Sequence, residues 1–522
     1  MDISYILRTV DDPLIQPCSD LVAISFEDRE SITYGELLAS TRAAMGGLES
    51  RGVKCGDRIA LLAHNSIDYW ILYFAATGLG AIVVKLNWRL TSEELDYAIT
   101  DCDANVVFVS PELSSSVGFL GNRPEIYIVS MADEITLSSG RTSDATMVDI
   151  LASDPRDFLP TMWPPSTPAV IMYTSGTTGR PKGAVWTHAN AIGYACMQAL
   201  HWGIDRNTRA LTTGPFYHVG AFENLLTPTL LMKGTAVFTQ STGFSIERTA
   251  TVMADLKINC ALLYPFMIGD LVALNPGLLG RLSNLRMLVT GGSAIAPSII
   301  HELQRLLPGV GLVQTYGSTE GGAIATASIP QDCVDFPECV GQAFELSQIK
   351  VCVDEAGTSA PAGDYGEVWI RSPSVAVGYW NRPSETAETF IDGWCRTGDL
   401  GLINAGGRLH ITGRKKDMIR SGGENVYPAE LEMVLKDHSA VADLAIIGVP
   451  DVKYEEAVCA VIVVKDGAVL DPEEFRAYAR TRLAKYKVPT HIEIVDELPR
   501  TASGKIQKFV LRERYVHLAN NH

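Results

Sequence analysis

The residues best suited to do chemistry lie in one glycine-rich segment, YTSGTTGRPKG, which ends at Gly183. Gly176 and Gly179 let the backbone turn tightly, so that its N–H groups can point at an anion. Hydroxyl side chains lie beside and between these glycines, and Lys182 adds a mobile positive charge. This combination predicts a loop that holds the phosphates of a polyphosphate.

The segment differs from the phosphate-binding loop of GTPases. That motif needs Lys and then Ser or Thr after its last glycine, whereas Arg180 follows Gly179 here. Residues Ala184–Trp186 have the composition of a second strand rather than of a helix start. Because the apolar run Ala169–Tyr173 precedes the segment, we predict that it connects two strands.

The elements that must position this loop alternate along the first half of the chain. Apolar residues at helical spacing from Leu37 to Leu48 predict one helix, which Gly52 ends, and Tyr69–Ala76 predicts another. Buried strands are predicted at Arg58–Leu62, Ala81–Lys85 and Asn105–Val109. Helices that alternate with β-branched runs are typical of an α/β fold with largely parallel sheets.

The chain changes character after Gly413, where the charged stretch RKKDMIR precedes SGGENVYP. Beyond it, the pattern predicts helices at Glu430–Lys436 and Asp471–Leu483, with Asp471 as an N-cap. It also predicts strands at Leu444–Val449, Glu456–Val464 and His491–Val495. We therefore predict a domain boundary near Lys416, between an N-terminal domain of residues 1–415 and a C-terminal domain of residues 416–522.

Composition and charge exclude several classes of protein. Acidic residues outnumber basic ones by 60 to 43, and the net charge of −17 argues against a surface that holds DNA or RNA. The first residues lack the apolar stretch of a signal peptide. The longest charge-free apolar stretch, Tyr69–Val84, is too short to span a bilayer. The ten cysteines include no CxxC pair and favour reduced thiols. We expect a cytoplasmic protein without a transmembrane segment.

Several motifs, in order along the chain, resemble those of the adenylate-forming enzymes, which include acyl-CoA synthetases, peptide-synthetase adenylation domains and luciferases. They are YTSGTTGRPKG, Thr315–Glu320 (TYGSTE), Thr397–Asp399 (TGD), Gly413–Glu432 and Pro499–Lys505 (PRTASGK). The resemblance covers nearly the whole chain. It implies a large N-terminal α/β region of several subdomains with a small mobile C-terminal α+β domain, as in acyl-CoA synthetases.

The resemblance also implies a reaction in two steps. A carboxylate attacks the α-phosphate of ATP and gives an acyl-adenylate and pyrophosphate. A thiol, usually that of coenzyme A, then displaces AMP. Each step needs anionic oxygens to be neutralised while they approach one another.

The motifs of the large region are implied to bind ATP. The residues implied to hold the β- and γ-phosphates are Thr174, Ser175, Gly176, Thr177, Thr178 and Lys182. Glu320 and Thr178 would hold Mg²⁺, a cation that prefers oxygen ligands, and Thr319 would contact the α-phosphate. Gly292 and Ser293 belong to a segment that resembles the adenine-lining loop of the family, and Tyr316 would stack on adenine, although a buried core tyrosine is an alternative. Thr315 and Gly317 are also implied to bind the nucleotide. Asp399 would accept hydrogen bonds from the ribose hydroxyls, and Arg414 would add a cationic contact to ribose or phosphate.

The motifs near and beyond the predicted boundary are implied to serve both steps. Lys505, in the turn Ser503–Lys505, would bridge the attacking carboxylate and the α-phosphate. Lys416 corresponds to the hinge about which the small domain of the family rotates between the steps. After that rotation, the residues implied to approach the pantetheine arm of coenzyme A are Ser421, Gly422, Gly423 and Glu424.

The segment Phe216–Ala221 resembles the acid-binding segment of the family. His218 lies where many members place a residue that gates the carboxylate, although a buried structural histidine is an alternative. The residues predicted to line the acyl pocket are Tyr217, Gly220, Ala221, Asn224, Tyr264, Gly291 and Gly321. Gly220 leaves volume and Asn224 adds polarity. We therefore predict a medium- or long-chain fatty acid, or a bulky aromatic or alicyclic acid, as the substrate.

The presence of Lys182, Glu320, Asp399 and Lys505 favours an enzyme over a catalytically inactive binding protein. We predict an ATP-dependent acid–coenzyme A ligase, whose partners are a small carboxylic acid, ATP and coenzyme A, with Mg²⁺ as cofactor. A ligase that loads a carrier protein and a luciferase-like oxidoreductase stay open as alternatives. The sequence also leaves peripheral membrane contact and a homodimer open.

Overall fold

The computed structural model describes residues 1–12, 16–158, 162–174, 180–421, 424–451, 454–500 and 506–520. The chain divides into two compact units. The larger unit contains Met1–Ile349 and Ile370–Arg396, and the smaller unit contains Lys350–Trp369 and Thr397–His522. The boundary predicted near Lys416, between residues 1–415 and 416–522, stays a prediction.

The strands on either side of the glycine-rich segment belong to a mainly parallel sheet of the larger unit. In the described part of the chain this sheet has eight strands, in the order Gly378–Tyr379, Lys182–Thr187, Pro168–Thr174, Ile82–Lys85, Arg58–Leu62, Val106–Val109, Tyr127–Ser130 and Ala145–Thr146. Lys182–Thr187 is antiparallel to both of its neighbours, and the strands from Pro168–Thr174 onward are parallel. The predicted strand Arg58–Leu62 is confirmed with its bounds.

Both faces of this sheet are buried, which the composition of its strands explains. Ile59 and Leu61 belong to one cluster of buried side chains, whereas Ala60 and Leu62 belong to another. Successive side chains of a strand point to opposite faces, so the unbroken apolar run supplies both clusters. The strand is therefore fixed between two apolar layers.

A second sheet of the larger unit carries the TYGSTE segment. Its nine strands, counted over the described residues, follow the order Gln342–Ala343, Thr326–Ala327, Gly311–Tyr316, Met287–Gly291, Cys260–Leu262, Arg209–Thr212, Thr235–Phe238, Val22–Phe26 and Glu30–Thr33. Met287–Gly291 and Gly311–Tyr316 are parallel neighbours, with Gly291 opposite Thr315. The carboxyl ends of both strands, and the loops that follow them, thus lie at the same edge of the sheet.

Several helices of the larger unit begin at side-chain caps that the sequence supplies. Among the described residues the α-helices are Tyr5–Arg8, Tyr34–Ser50, Ile67–Gly78, Ser92–Asp101, Met147–Leu151, His188–Trp202, Val219–Phe222, Leu226–Leu231, Ile246–Asp255, Pro265–Val272, Pro276–Leu279, Pro297–Leu306, Pro330–Asp335 and Pro383–Thr389, with a 3₁₀ helix at Pro111–Asn122. Thr33 and Glu36 form a capping box at the start of Tyr34–Ser50. Gly52 follows that helix with a φ of +84°, as its predicted role requires. None of the helices described here has both the length and the apolar composition needed to cross a bilayer.

The smaller unit has a sheet and helices of its own. Within the described residues its strands follow the order Glu424–Val426, Ile419–Ser421, Glu455–Val464 and Val441–Asp451, and His491–Ile494 pairs in parallel with Glu455–Val464. Its α-helices are Pro428–Leu435, Pro472–Arg480 and Lys508–Tyr515, and its 3₁₀ helices are Lys415–Asp417, Lys485–Lys487 and Val516–Asn520. The predicted N-cap is confirmed, since Asp471 Oδ1 accepts hydrogen bonds from two N–H groups at 2.8 and 2.9 Å. The helix ends at Arg480, before the predicted Leu483.

A further sheet contains the TGD segment. Its five strands in the described chain are Gln348–Cys352, Gly366–Arg371, Phe390–Ile391, Trp394–Ile403 and Leu409–Arg414. Trp394–Ile403 and Leu409–Arg414 are antiparallel, with Asp399 opposite Arg414. This register brings together the two residues predicted to contact ribose.

Candidate active site

The two ends of the glycine-rich segment face each other. Thr174 ends one strand and Lys182 begins the next, and the two residues are opposite each other in the antiparallel pair. The hydroxyl of Tyr173 donates to Asp101 Oδ2 at 2.8 Å and so anchors the hairpin. The predicted phosphate contacts of Ser175, Gly176, Thr177 and Thr178 lie outside the described residues.

Glu320 is joined to this hairpin by a side-chain hydrogen bond. Thr174 Oγ1 donates to Glu320 Oε1 at 2.8 Å, although 146 residues separate the two along the chain. The hydroxyl of Tyr379 donates to the same oxygen at 3.3 Å. Because both donors are neutral, they orient the carboxylate without neutralising its charge. The structure therefore brings together Thr174, Lys182 and Glu320, three residues that the sequence predicted for one site.

Tyr379 belongs to the same cluster, although the sequence did not predict it. Its ring faces Lys182, whose Nζ lies 5.1 Å from the ring centroid. Burial and the nearby Glu320 carboxylate raise the pKa of the Tyr379 hydroxyl, which therefore stays protonated and donates. The surrounding segment, VGYWN, is not among the motifs identified in the sequence, and Glu320 is 59 residues away. No local pattern marks such a residue.

The TYGSTE segment is held at the end of its strand by close packing. A Cβ at Gly317 would lie 2.0 Å from the Ala323 carbonyl oxygen, so that only glycine fits. Trp186 Nε1 donates to the Thr319 carbonyl oxygen at 2.9 Å and ties the segment to the strand that begins at Lys182. The side chains of Tyr316 and Thr319 are half-buried, which leaves part of each accessible to a ligand.

Tyr264 lies between two glycines of the predicted nucleotide and acyl sites. Its hydroxyl would be 3.6 Å from a Cβ at Gly220, and its ring would be 3.9 Å from a Cβ at Gly292. Gly292 has a φ of +85°, a conformation that favours glycine. Burial raises the pKa of Tyr264 to about 12, with Tyr217 adding to the shift, so its hydroxyl stays neutral. One wall is thus formed by Tyr264, Gly220 and Gly292. Ser293, the residue after Gly292, is exposed.

At two other glycines predicted in the acyl pocket, an added Cβ would come close to atoms of neighbouring segments. A Cβ at Gly291 would lie 2.5 Å from Thr315 Oγ1, and a Cβ at Gly321 would lie 2.7 Å from Ile370 Cδ1. Thr315 Oγ1 donates to the Thr290 carbonyl oxygen at 2.9 Å, which holds it beside Gly291. Protein atoms already fill the space that a side chain would need. The pocket role of Gly291 and Gly321 stays a prediction, and glycine there does not by itself add volume.

His218 is the N-cap of the short helix Val219–Phe222. Its Nδ1 accepts a hydrogen bond from the Gly220 N–H at 3.1 Å, so this nitrogen carries no proton in that arrangement. The cap gives His218 a structural role. Because the side chain is only half-buried, this role is compatible with the predicted gating of the carboxylate, which stays a prediction.

The residues around this helix are buried. Ala221 is fully buried, and its carbonyl oxygen accepts a hydrogen bond from Thr212 Oγ1 at 2.8 Å. The Tyr217 hydroxyl accepts a hydrogen bond from Arg89 at 2.9 Å. Burial raises the pKa of Tyr217, and the Arg89 charge opposes the shift. The helix is therefore a fixed support for Gly220.

Buried polar groups follow directly after the helix in sequence. Tyr194 donates its hydroxyl hydrogen to Asn224 Oδ1. Lys85 Nζ forms an ion pair with Glu223, and both side chains are almost fully buried. Burial lowers the pKa of Lys85 and raises that of Glu223, while their mutual attraction opposes both shifts. The charge of Glu223 thus has its counter-ion within the protein.

The smaller unit holds the other predicted nucleotide contacts. Arg414 Nε lies 2.8 Å from Asp399 Oδ1, and Asp399 is buried. Lys416, the predicted hinge residue, is exposed. Ser421 and Glu424 are opposite each other in an antiparallel pair. Gly422, Gly423 and Lys505 lie outside the described residues, so their predicted roles have no described geometry.

Comparisons with known proteins agree with these observations. The model of the AMP-binding enzyme family matches residues 15–380, and that of the AMP-binding enzyme C-terminal domain matches residues 430–505. A feruloyl-CoA synthase from an Amycolatopsis species is 34% identical over 495 residues, which are 93% of this chain and 94% of that protein. An indoleacetate–CoA ligase from Aromatoleum aromaticum is 34% identical over 499 residues, 94% of each chain.

The fold is also found among solved structures. The crystal structure of ATP-bound MatB from Rhodopseudomonas palustris matches with a TM-score of 0.88 and 29% identity, and the match covers 100% of both chains. The predicted fold class, a large N-terminal α/β region with a small C-terminal domain, is confirmed by this match and by the two family matches.

Proposed function

The chain belongs to the AMP-binding enzyme family and is an acid–thiol ligase, and we propose that it couples an aromatic carboxylic acid to coenzyme A with ATP and Mg²⁺. An oxygen of the acid forms a bond to the α-phosphorus of ATP, and pyrophosphate leaves. The thiolate sulfur of coenzyme A then attacks the acyl carbonyl carbon, and AMP leaves. The products are acyl-coenzyme A, AMP and pyrophosphate.

The hydrogen bond from Thr174 to Glu320, at 2.8 Å, carries this proposal. It joins the start of the glycine-rich segment to the end of TYGSTE, the two segments assigned to the triphosphate and to the cation. Lys182 lies opposite Thr174 across the hairpin. The cationic side chain of Lys182 and the carboxylate of Glu320 are therefore both neighbours of Thr174. Catalysis of phosphoryl chemistry depends mainly on such fixed charges.

The side chains present suit Mg²⁺. Glu320 offers carboxylate oxygens, and the two hydrogen bonds that described residues donate to it come from the neutral hydroxyls of Thr174 and Tyr379. Mg²⁺ prefers oxygen ligands and is commonly held by one or two carboxylates together with substrate phosphates. We assign Glu320, with Thr178, to this cation, which when bound would neutralise phosphate charge.

Other residues keep the roles that the motifs imply. Asp399 and Arg414, paired at 2.8 Å, are assigned to the ribose and its phosphate. Lys505 is assigned to the contact between the attacking carboxylate and the α-phosphate. Lys416 is assigned to the hinge, and the segment from Ser421 to Glu424 to the pantetheine arm.

The proposal of an aromatic acid rests on the wall formed by Tyr264, Gly220 and Gly292. A flat ring can lie against two residues without side chains and one aromatic ring. The hydrogen-bonded pair of Asn224 and Tyr194 adds polar groups near the helix Val219–Phe222. Two relatives at 34% identity are named a feruloyl-CoA synthase and an indoleacetate–CoA ligase. Both names denote the acyl group of an aromatic acid.

The experiment is a screen for pyrophosphate release from ATP. The panel contains hydroxycinnamic, indolic, benzoic, alicyclic and fatty acids of increasing length, each with and without coenzyme A. We expect the highest kcat/KM for a two-ring acid or for a ring with a short side chain, and turnover that requires coenzyme A. The matched variant is Gly220→Tyr, which should shift preference toward smaller acids because a side chain enters beside Tyr264.

Three outcomes would contradict parts of this proposal. A preference for long-chain fatty acids would reject the aromatic class. Turnover that requires a carrier protein in place of coenzyme A would reject the acceptor. Light emission or oxygen uptake with an acyl-adenylate would favour an oxidative second step.

A further inference from the structure

We propose that Tyr379 is a positioning residue for the adenylation step, which holds the Glu320 carboxylate and the Lys182 ammonium in fixed places. The inference rests on the proposed function for its assignment of Glu320 to Mg²⁺ and of Lys182 to phosphate. Neither the motifs nor the family resemblance assigns a role to this tyrosine.

The first contact fixes which oxygen of Glu320 stays available. The Tyr379 hydroxyl donates to Oε1 at 3.3 Å, and Thr174 Oγ1 donates to the same oxygen at 2.8 Å. Among the described residues, both hydrogen bonds to this carboxylate end on Oε1. A carboxylate that is held by one oxygen presents the other in a fixed direction. Hydrogen-bond partners of this kind orient metal ligands.

The second contact concerns Lys182. Its Nζ lies 5.1 Å from the centroid of the Tyr379 ring, within the range in which an ammonium is attracted to an aromatic face. Lysine has a flexible stem that must be ordered before it can meet a phosphate. The ring therefore contacts the ammonium, while the hydroxyl of the same tyrosine contacts Glu320.

The third set of contacts makes Tyr379 itself rigid. It pairs with Ala184 in the strand that begins at Lys182. Its N–H donates to Thr386 Oγ1 at 2.9 Å. Gly378 before it has a φ of +154°, and a Cβ there would lie 2.7 Å from Thr386 Cγ2, so the approach requires glycine. One strand thus carries Lys182 at its start and holds Tyr379 at its edge.

The test separates the hydroxyl from the ring. Tyr379→Phe removes the hydrogen bond and keeps the ring, whereas Tyr379→Leu removes both. Binding of Mn²⁺ is measured by electron paramagnetic resonance on the full chain with α,β-methylene ATP, which does not react at the α-phosphorus. We expect Tyr379→Phe to weaken Mn²⁺ binding about tenfold, the loss typical of an outer partner of a metal ligand. Tyr379→Leu should in addition raise the KM for ATP at saturating Mg²⁺ about threefold.

Tyr173→Phe is the matched control. It also removes a phenol–carboxylate hydrogen bond on the same hairpin, that to Asp101 at 2.8 Å, and so measures how far loosening of the hairpin alone lowers the Mn²⁺ affinity, a loss that we expect to be much smaller than in Tyr379→Phe. Thioester formation from a supplied acyl-adenylate should keep its rate in Tyr379→Phe, and the thermal midpoint should stay near that of the wild type.

The outcomes decide between this inference and its alternatives. Unchanged Mn²⁺ affinity in Tyr379→Phe would overturn it, as would an equal loss in Tyr173→Phe, which would mean that loosening of the hairpin is the cause. If the wild type releases no pyrophosphate with any acid, the proposed function fails. The Mn²⁺ measurement still decides the role of Tyr379 in that case, because it requires no turnover.

Discussion

Glu223 and Glu320 belong to the same unit, yet their surroundings differ in one respect that matters for chemistry. Glu223 is almost fully buried, and its partner is the ammonium of Lys85. Glu320 is half-buried, and its partners among the described residues are the hydroxyls of Thr174 and Tyr379. The first carboxylate is paired with a cation of the chain, and the second is oriented by the neutral hydroxyls of Thr174 and Tyr379.

The difference separates a structural carboxylate from one available to a ligand. A buried charge must be compensated inside the protein, because desolvation is not otherwise offset. A half-buried charge that is fixed by neutral donors keeps its attraction for a cation that arrives with the substrate. Substitution of Glu223 or its partner should therefore change stability, whereas substitution of Glu320 should change the reaction.

The largest expected effect is that of Glu320→Gln on acyl-adenylate formation. The amide keeps the shape and can still accept from Thr174, but the negative charge is lost. We expect the rate of pyrophosphate release to fall by about 10²–10³-fold, with an unchanged midpoint of urea unfolding. The control is Glu125→Gln, at an exposed glutamate. A rate within a few-fold of the wild type would show that the charge of Glu320 is not used.

The next largest effect is that of Lys85→Met on stability. The substitution leaves the Glu223 carboxylate buried without its cation, and we expect a loss of about 3–5 kcal/mol in the free energy of unfolding. The double variant Lys85→Met, Glu223→Gln should regain most of the loss, because no charge is then left unpaired. Urea unfolding followed by tryptophan fluorescence measures both. If the double variant is no more stable than the single one, packing of the lysine stem rather than charge is what the pair provides.

The residues around Glu320 and Glu223 differ in how far the sequence could predict their roles. Thr174, Lys182 and Glu320 lie in motifs, and each motif carries its chemistry within a few residues. Tyr379 and Lys85 meet their partners across 59 and 138 residues, and nothing in their local sequence indicates the pairing. The N-cap Asp471 was predictable for the opposite reason, because its partners are two and three residues away.

The sequence also cannot show which glycines leave space for a ligand. Gly220, Gly292 and Gly321 look alike in sequence, as positions without a side chain near predicted ligands. In the structure, a Cβ at Gly292 would have room beside Tyr264, whereas one at Gly321 would meet Ile370 at 2.7 Å. A missing side chain leaves space for a ligand only where the fold has not already used that space.

A third carboxylate, that of Asp68, is partly buried and has a shifted pKa. Burial, with the Glu30 charge adding, raises the pKa of Asp68 from 3.8 to about 6. A carboxyl whose pKa is raised on folding favours the folded state only while it is protonated. Its contribution to stability is therefore lost as the pH rises from about 4 to about 6.

Asp68→Asn removes this titration. We expect the variant to be more stable than the wild type near pH 7 by about 1–2 kcal/mol, a value reduced by the favourable position of Asp68 in the first turn of its helix. Below about pH 4 the difference should vanish. Urea unfolding across this pH range measures it, and a difference that grows as the pH falls would contradict the sign.

The smallest expected effect is that of Asp255→Asn, and it tests whether burial or proximity sets the strength of a charge pair. Arg281 lies 2.6 Å from Asp255 Oδ1, with side chains that are 50% and 47% exposed, so proximity alone would predict a strong contact. Water screens such a pair, and ordering two long side chains costs entropy. We expect the free energy of unfolding to change by less than about 1 kcal/mol, and the change to shrink further in added salt. A loss as large as that of Lys85→Met would contradict this expectation. It would mean that the close approach of opposite charges, and not the burial of Glu223, makes the ion pair of Glu223 with Lys85 stabilising.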